Sequence, residues 1–230
     1  MRKISYRGYE FLIDEEFVQW GDIWWGEYEK GNWDPYLFDM MDRFLNKTKV
    51  CIDFGAWIGP TVLYAAKLCK QVYALEPDPL AYKQLCATVK LNDIKNIQIF
   101  REAILDYDGT ANFGNLNMGD SMTRIGLPDN LFEIQCSTLE SFIIRNKIED
   151  IGFIKIDVES AEEIIFKTFD FFQKYTPTLY VELHADWFKN KEEGLETIRK
   201  VGRLYKHRYD INLRETDMSG DNKGFVFTND

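Results

Sequence analysis

The sequence is short of cysteine, histidine and long apolar runs, and each shortage excludes a class of protein. Its four cysteines form no C-x-x-C pair, and its two histidines provide no zinc-type spacing. No run approaches the roughly 20 apolar residues of a membrane span. The first residues, MRKISYRGYEF, lack the apolar stretch of a signal peptide. We therefore expect reduced thiols, a cytoplasmic protein and no membrane span.

Basic residues are also too few for a nucleic-acid-binding protein. The net charge of -10 and the pI near 4.9 oppose binding to a phosphate backbone. A length of 230 residues with 45% hydrophobic content suffices for one domain with a sizeable core. We expect no nucleic-acid partner, a neutral small-molecule or glycan acceptor, and either a monomer or a homodimer.

The stretch 50–61, VCIDFGAWIGPT, predicts a buried strand, a glycine-containing turn and the start of a helix. Asp53 ends the strand. Gly55 and Gly59 carry no Cβ, so the backbone can turn sharply and approach a ligand. The following helix directs its free N–H groups toward that ligand. The pattern predicts a nucleotide-type cofactor site, lined by the turn residues Ala56 and Trp57, at the carboxyl edge of a parallel sheet.

The spacing of this turn favours one cofactor class. It reads D-x-G-x-x-x-G, and Trp57 stands where the dinucleotide fingerprint has its second glycine. A bulky indole there argues against a pyrophosphate, whereas Asp53 suits a ligand with a positive amino group. S-adenosylmethionine has such an amino group and no phosphate. A glycine turn of any doubly wound protein is the alternative interpretation.

A second strand, QVYAL at 71–75, ends in Glu76 and Pro77. Glu76 follows Asp53 by 23 residues, so we expect it at the end of the neighbouring strand. A carboxylate there can accept both hydroxyls of a ribose. NAD-binding proteins also place an acid here, so Glu76 supports an adenosine ribose without selecting S-adenosylmethionine. The alternative is a solvated acid at a strand end.

Together these segments resemble the FkbM-type S-adenosylmethionine-dependent methyltransferases. The matching runs are DFGAWIGPT, YALEPDP, EAILDYDGTANF, FIKIDVESAEE and LYVELH. The chain departs from the family pattern at Ser160, where the family has glycine, and at Trp57, where it has asparagine. The resemblance implies a class I Rossmann-like fold, S-adenosylmethionine as cofactor, and an adenine beside Glu102 and Ala103.

The alternation of strand and helix patterns predicts an α/β fold with a parallel sheet. With the resemblance, we expect a mostly parallel seven-stranded sheet with helices on both faces and an antiparallel last strand, and a further strand beside it. We predict strands at 49–53, 71–75, 97–101, 131–136, 153–156, 178–183, 209–214 and 224–228. We predict helices at 61–69, 80–91, 161–169 and 192–201, and a hairpin that joins 103–106 to 110–114.

The N-terminal part differs in composition from the rest. Four of the six tryptophans, Trp20, Trp24, Trp25 and Trp33, lie within residues 1–33. We expect residues 1–45 to form an aromatic cap with a helix after Pro35, and residues 46–230 to form the catalytic domain. The cap can pack on the sheet edge, form an aromatic wall for a sugar, or make a dimer contact. On the second interpretation Trp24, Trp25 and Trp33 contact substrate.

Polar residues follow two further strands at the same sheet edge. Asp157 and Glu159 come after one strand, and Glu182 and His184 after the next. Methyl transfer to a hydroxyl needs aligned reactants and a base. Asp157 is the first candidate base with Glu159 beside it, and His184 is the second. The alternatives are a strand-end cap for Asp157 and a supporting hydrogen bond for His184.

We expect Asp120 and Ser121, in the loop 116–125, and Glu182 to contact the acceptor. Asp157, Glu159 and Glu182 could offer oxygen ligands to Mg²⁺, but without metal-specific spacing no metal is expected. The expected function is O-methyl transfer from S-adenosylmethionine to a hydroxyl of a sugar, glycan or related small molecule. A noncatalytic glycan- or partner-binding domain and an NAD-dependent oxidoreductase remain as alternatives.

Overall fold

The N-terminal residues form a hairpin followed by two helices. In this computed structural model the described residues are 1–17, 21–219 and 223–230, so Trp20 lies outside them. Strands β1 (Arg2–Tyr6) and β2 (Tyr9–Ile13) pair antiparallel. Helices α1 (Gly21–Lys30) and α2 (Pro35–Phe44) follow. The sequence analysis predicted α2 and missed the hairpin.

The rest of the chain alternates between strands and helices. The first half contains β3 (Val50–Phe54), α3 (Pro60–Leu68), β4 (Gln71–Leu75), α4 (Pro79–Leu91), β5 (Ile97–Phe100), β6 (Ala103–Ile104), β7 (Gly109–Gly114) and β8 (Arg124–Ile125). The second half contains β9 (Phe132–Ser137), α5 (Leu139–Asn146), β10 (Ile151–Ile156), α6 (Glu162–Ile165), α7 (Phe169–Tyr175), β11 (Thr178–Glu182), α8 (Lys191–Gly202), β12 (His207–Asp210) and β13 (Gly224–Thr228). A 3₁₀ turn at Ala185–Trp187 precedes α8.

The central sheet has seven strands in the order β12-β13-β11-β10-β3-β4-β5. The five strands from β11 to β5 are parallel, and β13 is antiparallel to its two neighbours. Successive residues of β3 face opposite apolar clusters: Cys51 packs with α3, and Ile52 packs with α5 and α8. The predicted Rossmann-like α/β class is confirmed.

Two predicted elements are wrong. Strands β6 and β7 do not pair as a hairpin, because β9 lies between them in a separate sheet, β6-β9-β7-β8. The Asp108 carboxylate accepts hydrogen bonds from the N–H of Thr138 and the hydroxyl of Ser141, which ties the turn to α5. The helix predicted at 161–169 is broken into α6 and α7. Thr168 Oγ1 donates to the Ile165 carbonyl at 2.6 Å, which competes with continued helix.

The N-terminal cap shares one apolar cluster with α3 and the sheet. Tyr6 and Tyr28 lie 4.3 Å apart between ring centroids, and Trp25 packs edge-on against Tyr28. The Tyr64 hydroxyl of α3 donates to Asp42 at 2.6 Å. The domain boundary after residue 45 stays a prediction. Within the described residues, no helix is long and apolar enough to cross a membrane.

Adjacent tryptophans of α1 provide a matched test of this packing. Trp25 is 1% exposed, whereas Trp24 is 41% exposed. We expect Trp25→Ala to lower the free energy of unfolding by roughly 3–5 kcal/mol, as for other buried aromatic residues. Trp24→Ala should cost about 1 kcal/mol, the worth of its edge-to-face contact with Trp57. Urea unfolding measures both, and equal losses would contradict the packing described.

Candidate active site

A cavity of about 380 Å³ opens at the carboxyl ends of the parallel strands. Its volume is in the range of small-molecule sites. It is lined by most of the residues that the sequence analysis selected: Trp24, Trp33, Gly55, Ala56, Trp57, Glu76, Pro77, Glu102, Ala103, Asp120, Ser121, Asp157, Glu159, Glu182 and His184. The structure therefore brings the expected cofactor, acceptor and catalytic residues to one cavity.

Three of the selected residues do not line the cavity. Trp25 is buried against Tyr28 in the core, so the expectation that it contacts substrate is wrong. Asp53 is fully buried below the cavity floor, where it cannot reach a ligand directly. Gly59 precedes α3 at φ 102°, and a Cβ there would lie 2.6 Å from Leu85 Cδ1. Asp53 and Gly59 thus shape the site from below.

Gly55 joins the ends of two strands. Its φ is 78°, and a Cβ on it would lie 1.8 Å from the carbonyl oxygen of Asp157. The Asp157 N–H donates to the Phe54 carbonyl at 3.2 Å. The glycine is therefore required because two backbone segments approach each other there, a reason that the motif spacing alone did not reveal.

Glu76 is buried, and its carboxylate faces the cavity. Oε2 accepts the Trp57 N–H at 2.7 Å, and Oε1 accepts the Asp78 N–H at 2.8 Å. Burial raises the pKa of Glu76 to about 8, against the lowering effect of these bonds. Since each carboxylate oxygen can accept two hydrogen bonds, both keep a position for a ligand hydroxyl.

Asp78 anchors the loop over the cavity, a role that sequence reasoning missed. Its Oδ1 caps the first turn of α4. Its Oδ2 accepts from the Gly119 N–H at 3.1 Å, from Thr123 Oγ1 at 3.0 Å and from Asn115 Nδ2. Trp57 Nε1 donates to the Gly119 carbonyl at 3.0 Å. Sequence reasoning missed Asp78 because its partners Asn115 and Thr123 lie 37 and 45 residues away in sequence.

Glu102 and Ala103 line the end of the cavity next to β5. The Glu102 carboxylate already accepts from Arg145 at 2.6 and 2.8 Å and from Ser137 Oγ at 2.5 Å. Its side chain is therefore held by the protein, and backbone groups are the ones left for a ligand at this end.

Lys155 is the penultimate residue of β10 and is 2% exposed. Its Nζ is 3.2 Å from Asp53 Oδ1, 3.3 Å from Asp157 Oδ2 and 2.9 Å from the Gly55 carbonyl. Burial opposes the charge of Lys155, but Asp157 and Asp53 raise its pKa. Burial raises the pKa of Asp53, against Lys155 and the Thr61 hydroxyl. A lysine inside the apolar run FIKI was the signal that the sequence analysis did not use.

His184 is oriented by a buried carboxylate that sequence reasoning did not assign to the site. Glu162 has no exposed surface, and it accepts the N–H groups of Val158 at 3.2 Å and Ser160 at 3.1 Å. His184 Nδ1 lies 2.9 Å from Glu162 Oε1, and Nε2 lies 3.3 Å from Glu159 Oε2. The imidazole therefore presents Nε2 to the cavity.

The charges around His184 alter two pKa values. Burial alone would lower the pKa of His184, but the hydrogen bond and negative charge of Glu162, with Glu159 and Asp157, raise it. Burial raises the pKa of Glu159 to about 7, against the effect of His184. The protonation states of His184 and Glu159 therefore depend on each other.

Aromatic rings line the cavity and support it from outside. Trp24 meets Trp57 edge to face at 5.8 Å, and Trp33 also lines the wall. Trp187 lies outside the cavity lining, where its ring stacks on His184 at 5.4 Å between ring centroids. The Arg124 guanidinium lies 4.1 Å above the Trp187 ring. The contact with His184 was missed because Trp187 lies far from the tryptophan-rich N-terminus.

Asp34 adds a further acid to the cavity. It accepts a hydrogen bond from the Tyr180 hydroxyl at 3.1 Å, and burial raises its pKa to about 6. Burial, with the charges of Asp157 and Asp34, raises the pKa of Glu182. The acceptor side is therefore rich in carboxylates, with Lys155 and the exposed Lys223 as lysines of its lining.

Comparisons with known proteins identify a family. A model described as the methyltransferase FkbM domain matches residues 53–210. An uncharacterized protein of Methanocaldococcus jannaschii is 26% identical over 191 residues, covering 80% of this chain and 67% of the relative.

Solved structures are also similar to this chain. A methyltransferase FkbM from Methylobacillus flagellatus is similar at a TM-score of 0.53 and 14% identity, with 83% of this chain covered. The chain spans 50% of the length of that protein. An rRNA methylase from Streptococcus thermophilus is similar at a TM-score of 0.48 and 11% identity, covering 83% of this chain and 90% of the other.

Removal of the buried lysine tests the electrostatics of the site. Lys155→Met leaves Asp53 buried without its cation, so we expect roughly 3–5 kcal/mol less stability. Lys70, which pairs with Asp150 at 3.2 Å on the surface, is the control. Lys70→Met should cost less than about 1 kcal/mol. Urea unfolding compares the two variants, and similar small losses would show that the buried pair is dispensable.

Proposed function

Because the chain belongs to the FkbM methyltransferase family, we propose that it methylates a hydroxyl group of a sugar, glycan or related small molecule with S-adenosylmethionine. The observation that carries this proposal is a single cavity with two chemically different ends. Glu76 follows β4 on one side of the turn at Gly55, and Asp157, Glu159 and His184 follow β10 and β11 on its other side.

The residues at the first end fit an adenosine ligand. Glu76 has two acceptor positions left for ribose hydroxyls after it has accepted two backbone N–H groups. Ala103 offers a small side chain and backbone groups to an adenine. Because S-adenosylmethionine has no phosphate, the site needs no basic side chain to bind one. S-adenosylmethionine supplies a methyl group already activated on a sulfonium ion.

The second end suits an acceptor with several hydroxyls. Trp24 and Trp33 offer aromatic faces, on which the C–H faces of a sugar ring stack at low cost in conformational entropy. Asp120, Ser121 and Glu182 line the same cavity, and carboxylate oxygens can accept hydrogen bonds from sugar hydroxyls. This chemistry supports a sugar-like acceptor over a flat apolar one.

A hydroxyl acceptor must lose its proton when it is methylated, so a base is required near its oxygen. Asp157 is our first candidate, with Glu159 beside it and His184 as the second. Glu162 supports the role of His184, because it fixes the ring with Nε2 toward the cavity.

The four unpaired cysteines support a cytoplasmic location, and we expect a monomer or homodimer without a nucleic-acid partner.

The raised pKa of Glu76 predicts a pH dependence of ligand binding. Below a pKa of about 8 the buried carboxyl is mostly neutral, and ribose hydroxyls bind the ionised form better. The affinity for S-adenosylhomocysteine should therefore rise between pH 6 and pH 9. Calorimetric titration at several pH values measures this change.

Glu76→Gln is the control for that titration, because it cannot ionise. Its affinity should be lower above pH 8 and should lack the rise that the native carboxylate produces. Any titration of the ligand itself appears in both proteins and cancels in the comparison. Parallel pH profiles for the two proteins would remove Glu76 from the ribose contact.

Asp157→Asn tests the acceptor end. Lys155 keeps its contact with Asp53 in this variant, so the fold and the affinity for S-adenosylhomocysteine should persist. Turnover measured with labelled S-adenosylmethionine and a panel of sugars should fall by about 100-fold or more, the usual contribution of a general base. Unchanged turnover would exclude Asp157 from that role.

A further inference from the structure

We propose that Asp157, Glu159 and His184 form a binding site for a divalent transition-metal ion at the acceptor end of the cavity. One ligand atom from each of the three side chains lies within 4.8 Å of the other two. The sequence analysis expected no metal, and it considered Glu182 as the third ligand. The structure instead brings an imidazole nitrogen to the two carboxylates.

The spacing of two ligand atoms matches a metal coordination edge. His184 Nε2 and Glu159 Oε2 are 3.3 Å apart. Two ligands at right angles, each about 2.1 Å from an ion, are about 3.0 Å apart. Closure around an ion therefore requires only a small movement of these side chains.

The hydrogen bonds of Glu162 determine which nitrogen of His184 is available. Both Glu162 oxygens accept backbone N–H groups, so the carboxylate acts as an acceptor and His184 Nδ1 is the donor to it. Once Nε2 has lost its proton, as a metal-bound imidazole must, the ring directs the lone pair of Nε2 toward the cavity. Metal-bound histidines commonly donate their other N–H to a carboxylate in this way.

Glu159 supplies an independent observation. Its Oε2 atom is buried and has no hydrogen-bond donor among the described residues, even though His184 Nε2 is nearby. Nε2 and Oε2 thus lie 3.3 Å apart without an aligned hydrogen bond. A buried carboxylate oxygen without a partner is costly, and a cation bound to both atoms would satisfy it.

The surrounding charges also favour a cation. Asp34 and Glu182 line the same end of the cavity, in addition to the two carboxylates of the site. Lys155 contacts Oδ2 of Asp157, and a carboxylate can be shared because it has a second oxygen. Lys223, exposed at the cavity lining, and Arg124, which stacks on Trp187, are the opposing charges at its margin.

The ligand types indicate the class of ion. Mg²⁺ prefers oxygen ligands alone, whereas one imidazole with two carboxylates suits a first-row transition ion such as Mn²⁺ or Fe²⁺. Three protein ligands leave positions open for oxygen atoms of an acceptor, and a bound ion lowers the pKa of a hydroxyl coordinated there. This role for the ion, though not its binding, rests on the methyl transfer proposed above.

The test is a titration of the full chain with Mn²⁺, followed by electron paramagnetic resonance of the free ion and by calorimetry, without cofactor. The native protein should bind one Mn²⁺ per chain. Glu159→Gln and His184→Asn should lose saturable binding at concentrations that saturate the native protein. Glu182→Gln removes a carboxyl group from the same cavity without removing a proposed ligand, and it should weaken Mn²⁺ binding much less than Glu159→Gln does.

His184→Asn separates coordination from electrostatic attraction, because the two predict opposite signs. If the carboxylates only attract cations, removal of a group that carries positive charge should strengthen Mn²⁺ binding. If His184 is a ligand, removal should weaken it. The thermal unfolding midpoint of each variant without metal verifies that it is folded.

Glu162→Gln acts on the site only through His184, and it should weaken Mn²⁺ binding by about 10–100-fold, as for other supporting partners of metal ligands. No saturable binding to the native protein, or equal effects of Glu159→Gln and Glu182→Gln, would overturn the inference. Binding of S-adenosylhomocysteine is measured separately on the same samples. Its loss with Mn²⁺ binding intact would refute the proposed function and leave the metal site standing.

Discussion

The site depends on one buried ion pair, in which the Lys155 ammonium group links the ends of β3 and β10. It binds Asp53 below the cavity, Asp157 at its wall and the carbonyl of Gly55 between them. Asp53 also accepts the hydroxyl of Thr61 at the start of α3. A strand, a glycine turn, a helix and the carboxylate of Asp157 are therefore held by a single cation. Loss of that cation would leave buried negative charge in the centre of the fold.

The two ends of the cavity have separate means of support. At the cofactor end, Glu76 holds the backbone at Trp57, and Asp78 with the Trp57 indole fixes the loop above. At the acceptor end, Glu162 holds His184 through a direct contact. Because these supports share no side chain, substitutions at one end should leave the geometry of the other intact.

The sequence predicted what depends on local periodicity and on strand ends. Glu76, Asp157 and His184 were found because the carboxyl ends of parallel strands meet at one edge. Lys155 was missed because its partner Asp53 is 102 residues away in sequence, although neighbouring strands place the two side by side. The apolar periodicity of a strand does not predict which distant side chain will neutralise a buried charge.

The N-terminal cap shows a second limit of sequence reasoning. Trp24 and Trp25 are consecutive in α1, and successive helical residues point in directions about 100° apart, so one faces the cavity and the other the core. The tryptophan-rich composition of residues 1–33 led us to expect that both contact substrate. The hairpin predicted around Asp108 failed for a similar reason, because β9, distant in sequence, pairs with both of its supposed strands. The direction of each tryptophan and the pairing of the strands were thus determined by tertiary contacts.

The central proposal is that this cavity binds S-adenosylmethionine and that Glu76 contacts its adenosine. Calorimetric titration of the native protein with S-adenosylhomocysteine, with NAD as the control, tests it most directly. The account predicts saturable binding of one S-adenosylhomocysteine per chain and none of NAD. Binding of NAD instead would favour an oxidoreductase, and binding of neither would favour a noncatalytic domain; both results would contradict the claim.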